Sequence, residues 1–194
     1  MSEQSRQTVQ TLFGYLREQG DSDYIGEAVS QLEHSLQAAA LARGSGSSND
    51  VVIAALLHDV GRFLPQSAKL PRMLADDGTY IGTASHDSVG ERYLKSVGFP
   101  ESVCSIVGAH VWAKRYLCAT ETGYWESLSK SSKATLVHQG GIFTPEQIQE
   151  ASEDPLLEEK LAVRRWDDQA KVPGLRVPEL ATYEEMVIQC LDSA

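Results

Sequence analysis

The feature that most constrains this sequence is an apolar run that ends in a histidine and an aspartate. Residues 51–57 read Val-Val-Ile-Ala-Ala-Leu-Leu, and His58 and Asp59 follow directly. An imidazole and a carboxylate at the end of a hydrophobic helix cost free energy unless something binds them. A divalent metal ion is the simplest such partner, and a carboxylate can bridge two of them.

Three further histidines and one further aspartate extend this pair to a full set of metal-ligand residue types. The set, in chain order, is His34, His58, Asp59, His86, His110 and Asp167. Imidazole and carboxylate without cysteine suit iron, manganese, cobalt or zinc. A lone histidine is more often an ordinary hydrogen-bonded residue, and we interpret His138 in that way. Chemistry alone leaves Asp167 and Asp168 as alternatives for the last ligand.

Helical periodicity dominates the 194 residues, so we expect an all-α fold, a helical bundle with a dinuclear metal site at its centre. No linker divides the chain, which predicts one domain over residues 1–194 with a metal-binding core at about 20–175. The Pro- and Gly-containing stretch 63–84 is predicted to be a long loop. Helices are expected near residues 5–19, 22–43, 49–60, 85–97, 101–117, 123–138, 145–152, 155–165 and 179–191.

The composition argues against several classes of protein. A formal net charge of −10 disfavours non-specific nucleic-acid binding, and it requires a local basic pocket for any anionic substrate. No apolar stretch approaches the roughly 20 residues that cross a bilayer, and the polar N-terminus lacks the apolar core of a signal peptide. The three cysteines lack metal-binding spacing and fit reduced thiols. We therefore expect a cytoplasmic protein without a nucleic-acid or membrane partner.

A polar stripe leads up to the first histidine. Tyr24, Glu27, Gln31 and His34 stand at i, i+3, i+7 and i+10, which on a single helix places them on one face. A face that only packed a core would be apolar, whereas this one carries a phenol, a carboxylate and an amide. Because His34 must face the metal, its neighbours on the stripe are expected to face the same cavity. The alternative is a solvated polar face.

Two basic residues are spaced one helical turn from predicted ligands. Lys114 is at i+4 from His110, which places its ammonium beside an anion bound at the metals. Arg62 is at i+4 from His58, and it points into the site if helical geometry continues past Gly61. The alternative for Lys114 is a surface lysine.

The ligand pattern resembles the HD-domain superfamily of helical proteins, whose core motif is matched by His34, His58, Asp59 and Asp167. Two further histidines mark the dinuclear members, and His86 and His110 fill those places. The resemblance implies that Asp59 bridges the metals, that one metal takes His34, His58 and Asp167, and that the other takes His86 and His110. It also favours Asp167 over Asp168 as the last ligand.

Longer segments are similar to one branch of this superfamily, the mixed-valent diiron oxygenases that cleave 1-hydroxyphosphonates. The similarity runs from about residue 20 to 180. It is carried by residues 24–27 (Tyr-Ile-Gly-Glu), 31–37 (Gln-Leu-Glu-His-Ser-Leu-Gln), 54–59 (Ala-Ala-Leu-Leu-His-Asp), 113–117 (Ala-Lys-Arg-Tyr-Leu) and 164–174 (Arg-Arg-Trp-Asp-Asp-Gln-Ala-Lys-Val-Pro-Gly). The implied cofactor is two Fe ions in the Fe(II)/Fe(III) state, and the implied partners are a small organophosphonate and O2.

The resemblance also implies roles for individual residues. Tyr24 would occupy the O2-binding iron until substrate arrives, and Glu27 would bind the substrate's amino group. The phosphonate would be bound by Lys114, Ser132 and Arg62, with Thr135 and Gln139 as weaker candidates. Arg62 departs from the amino-substrate enzyme, which has histidine there, and this favours a trimethylammonio substrate. Such a cation prefers aromatic faces, which Tyr24, Trp112, Tyr116 or Tyr124 could supply.

The implied reaction is a four-electron oxidation of 1-hydroxy-2-(trimethylammonio or amino)ethylphosphonate. Cleavage of its C–P bond gives glycine betaine or glycine together with inorganic phosphate. The main alternative is a dinuclear HD-domain phosphohydrolase, in which the metals activate water against a phosphoester. A ligand-binding module without turnover and an oxygenase acting on a polyol are further alternatives.

Overall fold

The computed structural model describes residues 2–20, 22, 24, 27–75 and 77–194. Within these residues the chain is helical, with one small two-stranded antiparallel sheet, as an all-α class requires. The helices are α1 (Glu3–Gly20), α2 (Gln31–Gly44), α3 (Asn49–Leu57), α4 (Val60–Phe63), α5 (His86–Ser96), α6 (Glu101–Gly108), α7 (His110–Thr120), α8 (Tyr124–Ser127), α9 (Lys130–His138), α10 (Pro145–Ala151), α11 (Leu157–Gln169) and α12 (Glu184–Asp192). The strands are β1 (Arg72–Leu74) and β2 (Tyr80–Thr83), and 3₁₀ turns cover Pro65–Lys69 and Leu180–Tyr183.

Helix α3 lies at the centre of the core. Its residues from Val51 to Leu57 are all buried, and it packs against α2, α6, α11 and α12. A helix that is apolar on every side is stable only when other elements cover it on every side. The residue that follows it, His58, is therefore carried into the interior.

The chain bends sharply just after α3. The helix expected over 49–60 ends at Leu57, and Asp59, with φ −97° and ψ 12°, separates α3 from the short helix α4. Gly61 lies so close to α5 that a Cβ there would stand 1.9 Å from the carbonyl oxygen of His86. This close approach brings the His58–Asp59 corner up to the start of α5.

The helix predicted over 22–43 is wrong in its first part. Of the described residues between 22 and 30, none is helical, and α2 begins at Gln31. A capping box sets this start, because the Ser30 hydroxyl accepts from the Glu33 amide and the Glu33 carboxylate accepts from the Ser30 amide. Tyr24 and Glu27 lie instead in a turn in which the Glu27 amide donates to the Tyr24 carbonyl at 2.9 Å. Asp21, Asp23, Ile25 and Gly26 lie outside the described residues.

The stretch 63–84, expected to be a loop, contains secondary structure. After a 3₁₀ turn, β1 and β2 form a hairpin in which Arg72 pairs with Thr83 and Met73 with Gly82. Two other expected helices are interrupted, 101–117 at Ala109 and 123–138 at residues 128–129. The break at Ala109 makes His110 the first residue of α7.

Candidate metal centre

Each predicted ligand lies at or near the end of a helix and is buried. His34 is in the first turn of α2, His58 follows α3, His86 begins α5, His110 begins α7 and Asp167 is in the last turn of α11. All six side chains belong to residues that are at most 3% exposed. Helix packing thus brings together side chains that are far apart in sequence.

The four imidazoles are oriented in the same way. In each, Nδ1 lies 2.7–3.0 Å from a backbone carbonyl oxygen, that of Ala170, Ala55, Thr83 and Val107 for His34, His58, His86 and His110. A carbonyl oxygen can only accept, so Nδ1 carries the hydrogen and the lone pair is on Nε2. A backbone carbonyl as partner of the second ring nitrogen is usual for metal-bound histidine.

These lone pairs face one another in two couples. The Nε2 atoms of His34 and His58 are 3.0 Å apart, and those of His86 and His110 are 2.9 Å apart. Burial lowers the pKa of His58 below its usual value and that of His110 to about 3, so both rings are neutral. Two lone pairs at this distance repel each other unless a cation lies beside them, so each couple fits a metal ion.

Asp59 joins the two couples. Its Oδ1 lies 3.1 Å from His86 Nε2 and 3.6 Å from that of His110, while its Oδ2 lies 3.8 Å from His58 Nε2. Oδ2 is buried and has no hydrogen-bond partner among the described residues. Burial opposes the charge of Asp59, but Arg62 and the nearby histidines hold its pKa well below the usual range. A buried anion with one oxygen toward each couple is arranged as a bridging ligand.

Asp167, rather than Asp168, lies with the first couple. Its Oδ1 is 3.3 Å from His34 Nε2 and 3.9 Å from His58 Nε2, and its Oδ2 is 2.7 Å from the Arg164 guanidinium. Burial would raise the pKa of Asp167, but Arg164 keeps it well below the usual range. Asp168 instead pairs with Arg164 and accepts a hydrogen bond from the Tyr124 hydroxyl. Arg164 thus leaves only one oxygen of Asp167 for a metal.

Tyr24 and Glu27 face the centre although they are not on the predicted helix. The Tyr24 ring stacks on the His34 ring with centroids 3.9 Å apart, and its hydroxyl donates to Asp167 Oδ1 at 3.3 Å. Burial and the charge of Asp167 raise the pKa of Tyr24 well above 10. Glu27 lines the same pocket. The turn brings to the site what was expected from a helix face.

The pocket beside the metal centre is basic. Lys114 is buried, and its ammonium donates to the Ser132 carbonyl at 3.1 Å and to the Thr135 hydroxyl at 2.9 Å. Burial and the charge of Arg164 lower its pKa to about 7. Arg62 forms an ion pair with Asp59 at 3.0 Å, and its side chain lines the pocket despite the break in the helix. Ser132, Thr135 and Gln139 of the predicted set also line it.

Other predicted positions lie elsewhere. Trp112 and Tyr116 stack on each other and contact Phe143, away from the pocket, and the Tyr124 hydroxyl is bound to Asp168. None of these three lines the pocket as the described residues form it, so the proposed aromatic partners of a trimethylammonium reduce to Tyr24. His138 is exposed and also outside it, in agreement with its interpretation as an ordinary residue.

Two charged pocket residues were not singled out from the sequence. Arg164 precedes Asp167 by one helical turn, a spacing that could have indicated the ion pair between them. Lys171 follows the end of α11, and no periodicity predicts where its side chain lies. Met73 and Ile81, from the unexpected hairpin, form an apolar part of the wall.

Comparison with known proteins agrees with this geometry. Residues 32–168 match the HD domain, and all six ligands fall within that range. The chain belongs to the HD domain family. Hydroxymethylphosphonate dioxygenase of Gimesia maris is 38% identical over 193 residues, covering 99% of this chain and 92% of that protein. A 1-hydroxy-2-(trimethylamino)ethylphosphonate dioxygenase (glycine-betaine-forming) of Leisingera caerulea is 32% identical over 191 residues, covering 95% and 90%. An uncharacterised protein of Acanthamoeba polyphaga mimivirus is 35% identical over 192 residues, covering 99% and 85%.

These relatives confirm the predicted branch. This HD domain is an oxygenase enzyme of the branch that contains the two phosphonate dioxygenases. Its clusters of histidine and aspartate suit metal ions, and dioxygenase relatives indicate iron. No helix among the described residues is long and apolar enough to cross a membrane.

Proposed function

We propose that the protein uses O2 to cleave the C–P bond of a 1-hydroxyphosphonate. The carbinol carbon becomes a carboxylate and the phosphorus leaves as inorganic phosphate. O2 accepts the four electrons, one of its oxygen atoms entering each product, and one proton is released. The observation that carries the proposal is Lys114, a buried ammonium beside the metal centre that forms no ion pair with a described carboxylate.

The charge of Lys114 needs an anion. Burial disfavours the protonated form of a lysine unless an opposite charge is bound nearby. A phosphonate against the ammonium would raise the pKa of Lys114 again from about 7. Ser132 and Arg62, which line the same pocket, are the further donors proposed for the phosphonate oxygens.

The metal centre is proposed to hold two Fe ions in the Fe(II)/Fe(III) state. His34, His58 and Asp167 would bind one, His86 and His110 the other, and Asp59 both. When bound, the two ions supply the redox chemistry by which O2 is activated and the carbinol carbon is oxidised. The protein side chains around them would exclude water, since every one of these ligands is buried.

Tyr24 and Glu27 are proposed to link substrate binding to the access of O2 to the metal position beside His34 and His58. The Tyr24 hydroxyl lies on the Asp167 oxygen that faces His34, so it covers this part of the centre. Because the amide of Glu27 is bonded to the carbonyl of Tyr24, a substrate that moves one residue will move the other.

Two kinds of substituent on the carbinol carbon are candidates. Glu27, a carboxylate in the pocket, favours the amino or trimethylammonio compound, whose product would be glycine or glycine betaine. The relative named for hydroxymethylphosphonate favours a substrate with only hydrogen there, whose product would be formate.

The test is phosphate release from these three compounds by iron-loaded protein, with and without O2. We expect one phosphate per O2 consumed from at least one compound, and none without O2. Ethylphosphonate, which lacks the 1-hydroxyl, is the control and should give no phosphate. Equal release in the absence of O2 would reject oxidative cleavage and favour metal-dependent hydrolysis. A coupled mixed-valent electron paramagnetic resonance signal that shifts on substrate addition would test the diiron assignment separately.

A further inference from the structure

We propose that Gln37 is a positioning residue of the metal centre, which holds His34 in the orientation needed to bind its metal ion. It does so through the backbone that follows α11, and it acts on one of the two metal positions and not on the other. The inference rests on the metal assignment of the proposed function, in which His34, His58 and Asp167 bind one ion.

His34 differs from the other three histidines in what orients its ring. The Nδ1 atoms of His58, His86 and His110 each bond to the carbonyl oxygen of the residue three positions earlier in the chain. These rings are therefore oriented by their own segment of backbone. Nδ1 of His34 instead donates to the Ala170 carbonyl at 2.8 Å, 136 residues away. The orientation of His34 thus depends on where another element places Ala170.

The Ala170 carbonyl belongs to a segment without regular structure. Helix α11 ends at Gln169, and residues 170–172 are neither helix nor strand. The Ala170 amide donates to the Trp166 carbonyl at 2.8 Å, which ties the start of the segment to the end of α11. Because the chain then leaves the helix, a second point of attachment is needed to fix the direction of the Ala170 carbonyl.

Gln37 supplies this second attachment at Val172. Its side-chain nitrogen donates to the Val172 carbonyl at 2.9 Å, and its side-chain oxygen accepts from the Val172 amide at 3.0 Å. Two bonds from one planar carboxamide to one residue fix both the distance and the orientation of that residue. Gln37 is only 1% exposed, so water competes little for these bonds.

The two side chains that bind the segment come from the same face of α2. His34 and Gln37 are three residues apart in this helix, and both are buried. They bind Ala170 and Val172, which are two residues apart, so a movement of the segment at Val172 changes the partner of His34. Asp167 is in the last turn of α11, so the same contacts join the two helices that carry ligands of one metal position.

Loss of the Gln37 carboxamide is expected to leave the fold intact. Gln37→Met keeps the length of the side chain but removes both hydrogen bonds, and methionine is about as favourable in a helix as glutamine. Val172 is 48% exposed, so water can replace Gln37 as the partner of its amide and carbonyl. Thermal unfolding of the metal-free variant checks this expectation.

The first measurement is the binding of Fe(II) in the absence of O2, by calorimetry and metal analysis. We expect the wild type to bind two ions and Gln37→Met to bind one of them about 10- to 100-fold more weakly, the usual cost of removing the support of a metal-bound histidine. Affinity at the other position should be unchanged, and Gln37→Leu should behave in the same way. Gln147→Met removes a carboxamide that accepts from the Thr144 amide, and this control should bind both ions as the wild type does.

Double variants identify which position is affected. In His86→Ala, the ion that remains is the one at the His34 position, and Gln37→Met should weaken its binding to the full extent. In His34→Ala, the ion that remains is bound beside His86 and His110, and Gln37→Met should leave its affinity unchanged.

A second measurement, on metal-free protein, tests the orientation of His34 directly. Its Nδ1–H, which is bonded to Ala170, should exchange slowly with water in nitrogen-15 NMR, and His34→Ala identifies the signal by its loss. In Gln37→Met this signal should exchange faster, whereas the Nδ1–H signals of the other three buried histidines should not change. A general loosening of the fold would change all four.

The outcomes distinguish the two proposals. Equal weakening at both metal positions, or weakening at neither, would reject the role of Gln37, as would an unchanged His34 signal. Because neither measurement uses substrate or O2, phosphate release from a hydroxyphosphonate by the wild type would then leave the proposed function standing. A wild type that binds fewer than two ions would reject the diiron assignment and this inference with it.

Discussion

The candidate metal ligands are carried by buried helix ends, whereas Tyr24 and Glu27 are carried by a turn that precedes α2. The ligand-bearing ends are packed around α3, in which every residue from Val51 to Leu57 is buried. The described residues of the turn are connected by hydrogen bonds such as that from the Tyr24 amide to the Val29 carbonyl at 3.0 Å, and by the contact of the Tyr24 ring with His34. Dense packing of helices fixes geometry, while a turn connected by individual hydrogen bonds and ring contacts depends on each of them. The difference suits a rigid metal centre beside a part that must respond to substrate.

The largest effect is expected at Asp59, which lies between the two histidine couples of the metal centre. Asp59→Ala removes the only carboxylate of the predicted ligands that faces both histidine couples. We expect iron to be lost from both positions and oxygenase activity to be abolished, as measured by metal analysis and O2 uptake. Asp77→Ala, at an exposed position in the hairpin, is the control and should retain full iron. Retention of two iron ions by Asp59→Ala would reject the bridging role.

A second prediction tests how strictly helix packing positions the His86 couple. Gly61→Ala puts a Cβ 1.9 Å from the His86 carbonyl oxygen and 2.9 Å from the Gly90 amide nitrogen. Because both contacts are with backbone, α4 and α5 must separate, and we expect a loss of about 3 kcal/mol in unfolding free energy. Urea denaturation of the metal-free protein measures this loss, and metal analysis should show reduced iron.

Gly14→Ala is the matched control for Gly61→Ala. A Cβ at Gly14 meets nothing within 4 Å, and the residue is inside α1. Alanine is more favourable than glycine in a helix interior, so the free energy of unfolding should rise by up to about 1 kcal/mol. Similar stabilities for the two variants would contradict the proposed close contact of α4 with α5.

A third prediction concerns Lys114, the proposed phosphonate contact, which is carried by helix α7. Lys114→Met should weaken phosphonate binding about 10- to 100-fold, since a hydrogen bond between charged groups is lost, without loss of iron. The free ammonium has a pKa of about 7, and bound phosphonate raises it. The advantage of wild type over Lys114→Met is therefore greatest below pH 7 and falls as the pH rises above it. Calorimetric titration at several pH values measures both, and an advantage that grows with pH would contradict the charge role.

The sequence predicts the residues on the packed helices better than those on the turn before α2. The six candidate ligands were predicted from their residue types and from the family resemblance. The apolar run before His58 also indicated a buried helix that would carry this residue into the core. The i+4 spacing also placed Lys114 near His110, since both are on α7. The position of Lys171 could not be predicted, because the backbone of its neighbour Val172 is held by Gln37 from another helix.

Within the site, the wrong part of the prediction was the helix through Tyr24 and Glu27. Their spacing to His34 fits one helix face, but Ser30 and Glu33 form a capping box that begins the helix later. That signal, Ser-x-x-Glu, is present in the sequence and competes with the periodicity. Both residues still reach the pocket, because the turn folds back over His34. The spacing therefore indicated the right cavity through the wrong element.

The smallest effect is expected at the junction between the turn and α2. Ser30→Ala removes the hydroxyl that accepts from the Glu33 amide, and it should lower the free energy of unfolding by about 1 kcal/mol. Thr144→Ala removes the equivalent cap of α10, where the hydroxyl accepts from the Gln147 amide, and it should cost a similar amount. Denaturation curves of the two variants check that they are matched.

The two variants should differ in substrate binding. The Gln31 amide, next to Ser30, donates to the Ser22 carbonyl at 3.0 Å, so a loosened cap releases the turn that carries Tyr24 and Glu27. We expect Ser30→Ala to raise KM for the hydroxyphosphonate about threefold at unchanged iron content, a loss smaller than 1 kcal/mol, and Thr144→Ala to leave KM unchanged. An equal KM in both would mean that the turn is held by its contacts with the pocket, Tyr24 on His34 and Glu27 on Lys171, rather than by the start of α2.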